Sequence, residues 1–174
     1  MGTLQARLAR GEPAAFAELY DDCADRVGHY LLVRLGSWDD AEEALQETFL
    51  RLVRFRRKLA SVENLVAYVF TVARNEGARL GTQKARRQRE HAPLTGEALF
   101  RCVPSADGEL QAAETAAAAL TRRNADLREV VELKIYADLT FHEISQVTGL
   151  PQGTVATRYR SALAKIRSWL GRQE

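Results

Sequence analysis

The last third of the sequence carries the residues whose types and spacing are best suited to contact DNA. A short helix with one apolar face is predicted from Thr140 to Gly149, and Pro151 cannot continue it. A second helix then begins at Gln152, which is the pattern of a helix-turn-helix, whose second helix enters the major groove. The start of this helix has the small polar and basic side chains that contact bases or phosphates: Gln152, Thr154, Thr157 and Arg158.

Basic residues further along the same helix are expected to attract phosphates, which positions a protein on DNA without specifying sequence: Arg160, Lys165 and Arg167. An ordinary helical hairpin is the alternative interpretation of this segment. A hairpin, however, has no need of a basic second helix that opens with small polar residues.

The net charge of +2 conceals three segregated runs. Between Trp38 and Glu47 there are five carboxylates and no basic residue, whereas Arg74 to Arg89 holds six basic residues against Glu76 alone. A second basic run extends from Arg158 to Arg172. Any one run could be a solvated helix face. Three runs in one short chain favour a protein that meets one basic partner and one polyanion.

Helices with these charges are predicted along most of the chain. Pro13 suits the first turn of a helix that Gly36 ends, and Ser37 is expected to cap the acidic helix that follows. We expect Trp38 to pack beside the start of that helix. Ser61 is expected to cap a third helix, which runs into the first basic run and weakens around Gly77 and Gly81.

Turn and loop residues dominate from His91 to Leu110, and an Ala-rich stretch follows before a helix that Asn124 could cap. The fold class predicted is all-α, with two small helical domains joined by a flexible linker. The domains are placed at residues 1–90 and 111–174, and the linker at 91–110.

The sequence offers little for catalysis or metal binding. No nucleophile triad, phosphate-binding glycine loop or paired carboxylates can be recognised, and the two cysteines, Cys23 and Cys102, lack metal-ligand spacing. Cys23 lies on an apolar stripe and is expected in the core. The longest apolar run, Leu65 to Ala73, is too short to span a membrane, and a secretory signal is lacking. We therefore expect a cytoplasmic protein that is not an enzyme, has no membrane insertion and needs no cofactor or metal.

Four motifs resemble those of the sigma-70 family of bacterial transcription factors. Gly153–Arg158 (GTVATR) resembles the family's GTVKSR pattern, and Arg128–Leu133 with Leu139–Ile144 resembles the same region 4. Asp40–Phe49 (DAEEALQETF) is similar to the acidic motif of region 2, and Val72–Asn75 (VARN) to the end of its DNA-facing helix. Regions 2 and 4 without region 3 resemble the extracytoplasmic-function (ECF) group. Arg79 stands where the family usually has Asp, so local contacts there are expected to differ.

The resemblance implies partners for the charged runs. The acidic helix would dock on the β′ clamp helices of core RNA polymerase, and region 4 would dock separately on the β flap. The candidates for polymerase binding are Asp40, Glu43, Gln46 and Glu47. The third helix and the connector before it would melt and hold the −10 promoter element, with six candidate residues: Asn64, Arg74, Asn75, Lys84, Arg86 and Arg87. Region 4 would contact the −35 element of promoter DNA, and the family often pairs with an anti-sigma factor.

Two other functions remain open from the sequence. A helix-turn-helix regulator could bind operators without polymerase, and the acidic helix would then be a plain solvated face. A scaffold that merely retains the fold would show no salt-dependent DNA binding at all.

Overall fold

The computed structural model describes residues 3–90 and 125–170, with side chains described through Arg87 in the first range and Ser168 in the second. The chain divides into two compact units, each containing one of these ranges. We refer to them as the N-terminal unit and the C-terminal unit. Every regular element in the described ranges is helical, which confirms the predicted all-α class.

In the N-terminal unit, residues 3–90 form four α-helices and one short 3₁₀ segment. They are α1 (Leu4–Arg10), α2 (Pro13–Leu35), α3 (Trp38–Arg54), the 3₁₀ segment (Arg56–Ser61) and α4 (Leu65–Glu90). Helices α2, α3 and α4 pack against one another, while α1 packs against the 3₁₀ segment. The ring of Tyr30 on α2 meets the ring of Phe70 on α4 edge-on, with centroids 5.9 Å apart, and both side chains are fully buried.

Local chemistry sets the ends of these helices. Pro13 occupies the first turn of α2, and Gly36 ends that helix with a positive φ of 69°. The hydroxyl of Ser37 accepts a hydrogen bond from the backbone N–H of Asp40 at 3.4 Å, which confirms the predicted cap of α3. Cys23 is buried as expected, and burial raises the pKa of its thiol to about 11.

Two predictions for the third helix are wrong. The residue that caps α4 is Asn64, whose side-chain oxygen accepts from the N–H of Ala67 at 3.0 Å, whereas the hydroxyl of Ser61 donates to the carbonyl of Lys58. The helix does not weaken at its glycines but continues to Glu90. A Cβ at Gly77 would lie 3.1 Å from Leu31, so this glycine allows α4 to approach α2 closely.

Two further differences concern residues at the edges of the unit. Trp38 was expected to pack, but 60% of it is exposed, because it is the first residue of α3 and points away from the core. Helix α1 was not predicted, since a seven-residue helix with one fully buried residue, Leu8, leaves almost no periodic signal.

Residues 125–170, the described part of the C-terminal unit, form three helices: α5 (Ala125–Ile135), α6 (Phe141–Thr148) and α7 (Gln152–Leu170). Its core includes Leu127 and Val131 of α5 with Ala162 of α7, and Tyr159 and Ile166 pack against them. The predicted linker at 91–110, Cys102, the Ala-rich stretch and the cap at Asn124 lie outside the described residues.

Candidate functional site

The turn between α6 and α7 is fixed by caps at both ends of α6. Thr140 and Glu143 form a capping box: the Glu143 N–H donates to the Thr140 hydroxyl at 3.2 Å, and the Thr140 N–H donates to the Glu143 carboxylate at 2.8 Å. Gly149 ends α6 with a φ of 72°, which confirms the predicted glycine turn. These caps fix the point at which the chain enters α7, and hence where its first turns point.

The start of α7 is open to solvent. Gln152 and Thr157 are exposed and Thr154 is half-buried, while Val155 between them is fully buried against the rest of the unit. The Thr157 hydroxyl donates to the carbonyl of Gly153 at 2.9 Å, which leaves its oxygen lone pairs available as acceptors. Further along the helix, three basic candidates from the sequence are also exposed: Arg160, Lys165 and Arg167.

Arg158 joins α7 to another helix of the same unit. Its guanidinium makes an ion pair with Asp126 at 3.2 Å, and only 29% of its side chain is exposed. Asp126 lies in the first turn of α5. The pair therefore connects the start of α5 to the helix that carries the candidate DNA contacts.

Exposed acidic residues follow the outward side of α3 in the N-terminal unit. We call this surface the acidic face, and its members are Asp39, Glu42, Glu43, Gln46 and Glu47. The Gln46 side-chain amide donates to Glu42 at 3.5 Å. Leu50 continues the same side of the helix and is 60% exposed. The acidic face is therefore continued along α3 by exposed apolar surface.

The candidates for −10 binding are distributed along the whole of α4. Asn64 lies at its start, where its side-chain oxygen is used as the helix cap. Asn75 is exposed one turn after the buried Val72, and Arg74 beside it is half-buried. Lys84, Arg86 and Arg87 lie near the other end of the helix. A helix of 26 residues is about 39 Å long, so these residues do not form one compact site.

Ion pairs join the acidic helix directly to the basic helix. Asp40 of α3 pairs with Lys84 of α4, and Arg51 of α3 pairs with Glu76 of α4. Arg79 also binds Glu76, with its Nε 2.8 Å from a carboxylate oxygen. As the residue number rises along α3, the number of the partner on α4 falls, so the helices are antiparallel. We call this series of contacts the α3–α4 charge ladder.

Glu76 is the buried member of the ladder. It is 2% exposed, whereas both of its arginine partners reach the surface. The hydrogen bond to Glu76 raises the pKa of Arg79, with smaller contributions from the charges of Glu47 and Glu43. The sequence alone did not single out Arg51 or Glu76 for any role. Arg51 and Glu76 meet because α3 and α4 are antiparallel, and this register is visible only in the folded unit.

The described ranges hold neither a metal-binding cluster nor a membrane-spanning helix. Within residues 3–90 and 125–170, no group of His, Cys, Asp and Glu side chains is placed to hold a metal ion. No helix in those ranges is both long and apolar enough to cross a membrane.

Comparisons with known proteins identify the two units. The family described as Sigma-70 region 2 matches residues 19–89, and Sigma-70 region 4 matches residues 119–168. The ECF RNA polymerase sigma factor RpoE of Cereibacter sphaeroides is 30% identical over 166 residues, which cover 90% of this chain and 86% of that protein. This chain belongs to the ECF sigma factors of the sigma-70 family. It directs promoter-specific initiation of transcription, within a family of initiation factors that are not enzymes.

Another relative agrees with this assignment, and two solved structures share the fold. ECF sigma factor BldN of Streptomyces coelicolor is 33% identical over 175 residues, covering 96% of this chain but 65% of that protein. CnrH, solved in complex with the cytosolic domain of CnrY, matches with a TM-score of 0.71 at 19% identity, covering 98% of this chain and 97% of CnrH. The sigma factor RpoE of Bartonella quintana, solved with the anti-sigma factor NepR, matches with a TM-score of 0.70 at 22% identity, covering 90% and 96%. These two structures confirm the fold.

Proposed function

We propose that the acidic face of α3 docks this sigma factor on the β′ clamp helices of core RNA polymerase, and that the C-terminal unit docks on the β flap. The observation that carries the proposal is the outward side of α3, where exposed carboxylates follow one another without an intervening basic residue. A solvent-facing series of one sign attracts a basic partner and speeds its docking. The polymerase-binding residues are Asp40, Glu43, Gln46 and Glu47, with Asp40 at the border where it meets Lys84.

Promoter contacts are divided between the units. Helix α4 and the connector before it bind the −10 element, with Asn75 and Arg74 near the melted bases and Lys84, Arg86 and Arg87 on phosphates. The cap role of Asn64 leaves its amide N–H groups for DNA, since the helix uses only its oxygen. The start of α7 binds the −35 duplex, where Gln152, Thr154, Thr157 and Arg158 meet bases or phosphates, and Arg160, Lys165 and Arg167 attract the backbone.

The proposal also covers an anti-sigma partner, the mode of action and the location of the protein. CnrH was solved with the cytosolic domain of CnrY bound, and the sigma factor RpoE with the anti-sigma factor NepR; an anti-sigma factor is proposed as a partner here as well. The chain acts by binding, without catalysis of its own. Its work on polymerase and promoter DNA places it in the cytoplasm.

A double charge reversal tests the docking face. Glu43→Lys with Glu47→Lys is expected to weaken binding to core polymerase about ten- to hundredfold, because two attractive charges become repulsive. Binding of the isolated chain to a −35 duplex should change little. The matched control is Asp21→Lys with Asp25→Lys, which reverses two exposed carboxylates at the same spacing on α2. Equal loss of polymerase binding in both double variants would remove the assignment of α3.

The runner-up function is a helix-turn-helix regulator that binds duplex DNA without polymerase. The exposed start of α7 would serve that function equally well. Promoter-dependent transcription with purified core polymerase separates the two, because only a sigma factor makes initiation depend on this chain. A protein that binds DNA but forms no complex with core polymerase would favour the regulator.

A further inference from the structure

The cations of the α3–α4 charge ladder lie beside the residues proposed to bind polymerase. The pairs Asp40–Lys84 and Arg51–Glu76 fix the register of the two antiparallel helices at two points. Between these points α4 carries Arg79 and α3 carries Glu43 and Glu47. The register therefore places the positive charge of Arg79 close to Glu43 and Glu47, two of the carboxylates that are proposed to attract the basic partner.

Arg79 is held in that place. Its Nε donates to Glu76 at 2.8 Å, and Glu76 is itself buried and bound to Arg51. A guanidinium anchored on one side by a buried carboxylate loses much of its freedom to swing into solvent. Because 41% of its side chain remains exposed, its charge acts on the surface as well as within the unit.

We infer that Arg79 is an internal counter-cation that reduces the attraction of the acidic face for a basic partner, and so sets how strongly this sigma factor docks on core polymerase. This inference rests on the proposed docking of α3. Lys84 plays the same part at Asp40. A residue of this kind tunes affinity without touching the partner. Its charge acts on the neighbouring carboxylates, and salt screens that effect only partly. The resemblance to the family gives an Asp at this position, which would act in the opposite sense.

The decisive variant is Arg79→Gln, which removes the charge and keeps a hydrogen-bond donor for Glu76. Its affinity for core polymerase, measured in the absence of DNA, is expected to rise about two- to fivefold at low salt, and the gain should shrink as salt increases. Arg79→Lys keeps the charge and should bind as the wild type does. Arg57→Gln removes one exposed charge from the 3₁₀ segment and should not raise the affinity.

Lys84→Met provides an independent measurement, because it removes a second cation of the ladder that makes no contact with Glu76. It should also raise polymerase affinity, and it remains informative if Arg79→Gln does not fold. Unchanged or weaker binding in both variants would overturn the inference. If that result accompanies a loss of binding in Glu43→Lys with Glu47→Lys, the docking face stands and only the counter-cation fails. If the double reversal also has no effect, the proposed docking face fails as well.

Discussion

The two units use charged side chains in opposite ways. In the N-terminal unit, charged side chains of α3 and α4 pair with one another across the two helices, and a buried carboxylate, Glu76, binds two of the arginines. In the C-terminal unit, a capping box begins α6 and a glycine ends it before α7, and most candidate DNA contacts face solvent. The two basic runs, alike in sequence, therefore differ in their surroundings: Lys84 pairs with a carboxylate of another helix, whereas Arg160, Lys165 and Arg167 on α7 are exposed.

The strongest test of this contrast is to remove the buried negative charge of Glu76. Glu76→Gln should lower the free energy of unfolding of the N-terminal unit by about 2–3 kcal/mol, because one neutral amide replaces a carboxylate bound by two guanidinium groups. Amide hydrogen exchange, followed separately in peptides from the two units, measures the loss. Peptides from α3 should be affected as well as those from α4, since Arg51 lies on α3.

A surface carboxylate provides the control for that variant. Glu63→Gln changes an exposed residue in the connector and should leave exchange nearly unaltered. If Glu76→Gln lowers the free energy of unfolding no more than Glu63→Gln does, the ladder contributes no measurable stability, and the contrast between the units is lost.

The ion pair between Arg158 and Asp126 in the C-terminal unit gives the next test. Arg158→Ala is expected to weaken binding to a −35 duplex by about 1–3 kcal/mol if its guanidinium contacts a base. Asp126→Asn keeps that guanidinium but removes its ion pair, so it should leave binding unchanged or strengthen it slightly. Fluorescence anisotropy with a labelled duplex measures both. A loss with Asp126→Asn as large as that with Arg158→Ala would show that the pair acts by holding α5 against α7.

The smallest expected effect concerns the glycine turn. Gly149→Ala should destabilise the C-terminal unit by about 1 kcal/mol, because alanine does not readily adopt a φ of 72°. Gly153→Ala is the matched control, since both positions have open space for a Cβ but Gly153 is in the first turn of a helix. It should have no cost or give a small gain. Thermal unfolding of the two variants provides the comparison. Equal shifts would mean that the conformation of the turn does not limit stability.

Helix identities and the recognition turn were largely predictable, because they depend on signals close together in sequence. Pro13, Ser37 and Gly149 each act within a few residues of the end that they define. The cap of α4 was misassigned because Ser61 and Asn64 are both good capping residues only three positions apart. Only the geometry of the 3₁₀ segment decides between them.

The charge ladder could not be predicted from the sequence in the same way. The two pairs that join α3 to α4 are 25 and 44 residues apart, so nothing local distinguishes an acid that pairs with α4 from one that faces solvent. Asp40 and Glu43 are of one type and nearly adjacent. Asp40 nevertheless pairs with Lys84, while Glu43 lies on the exposed side of the helix. The residue roles proposed for polymerase and DNA remain predictions for the same reason.

Because Trp38 is exposed, its fluorescence can report when a partner covers the start of α3. The chain has two tryptophans, so replacement of Trp169 by Phe would leave a single indole at the first residue of the acidic helix. An indole in water emits at longer wavelength than one covered by protein. A partner that covers the start of α3 would thus shift the emission to the blue without any attached dye, and stopped-flow mixing would follow that encounter in real time.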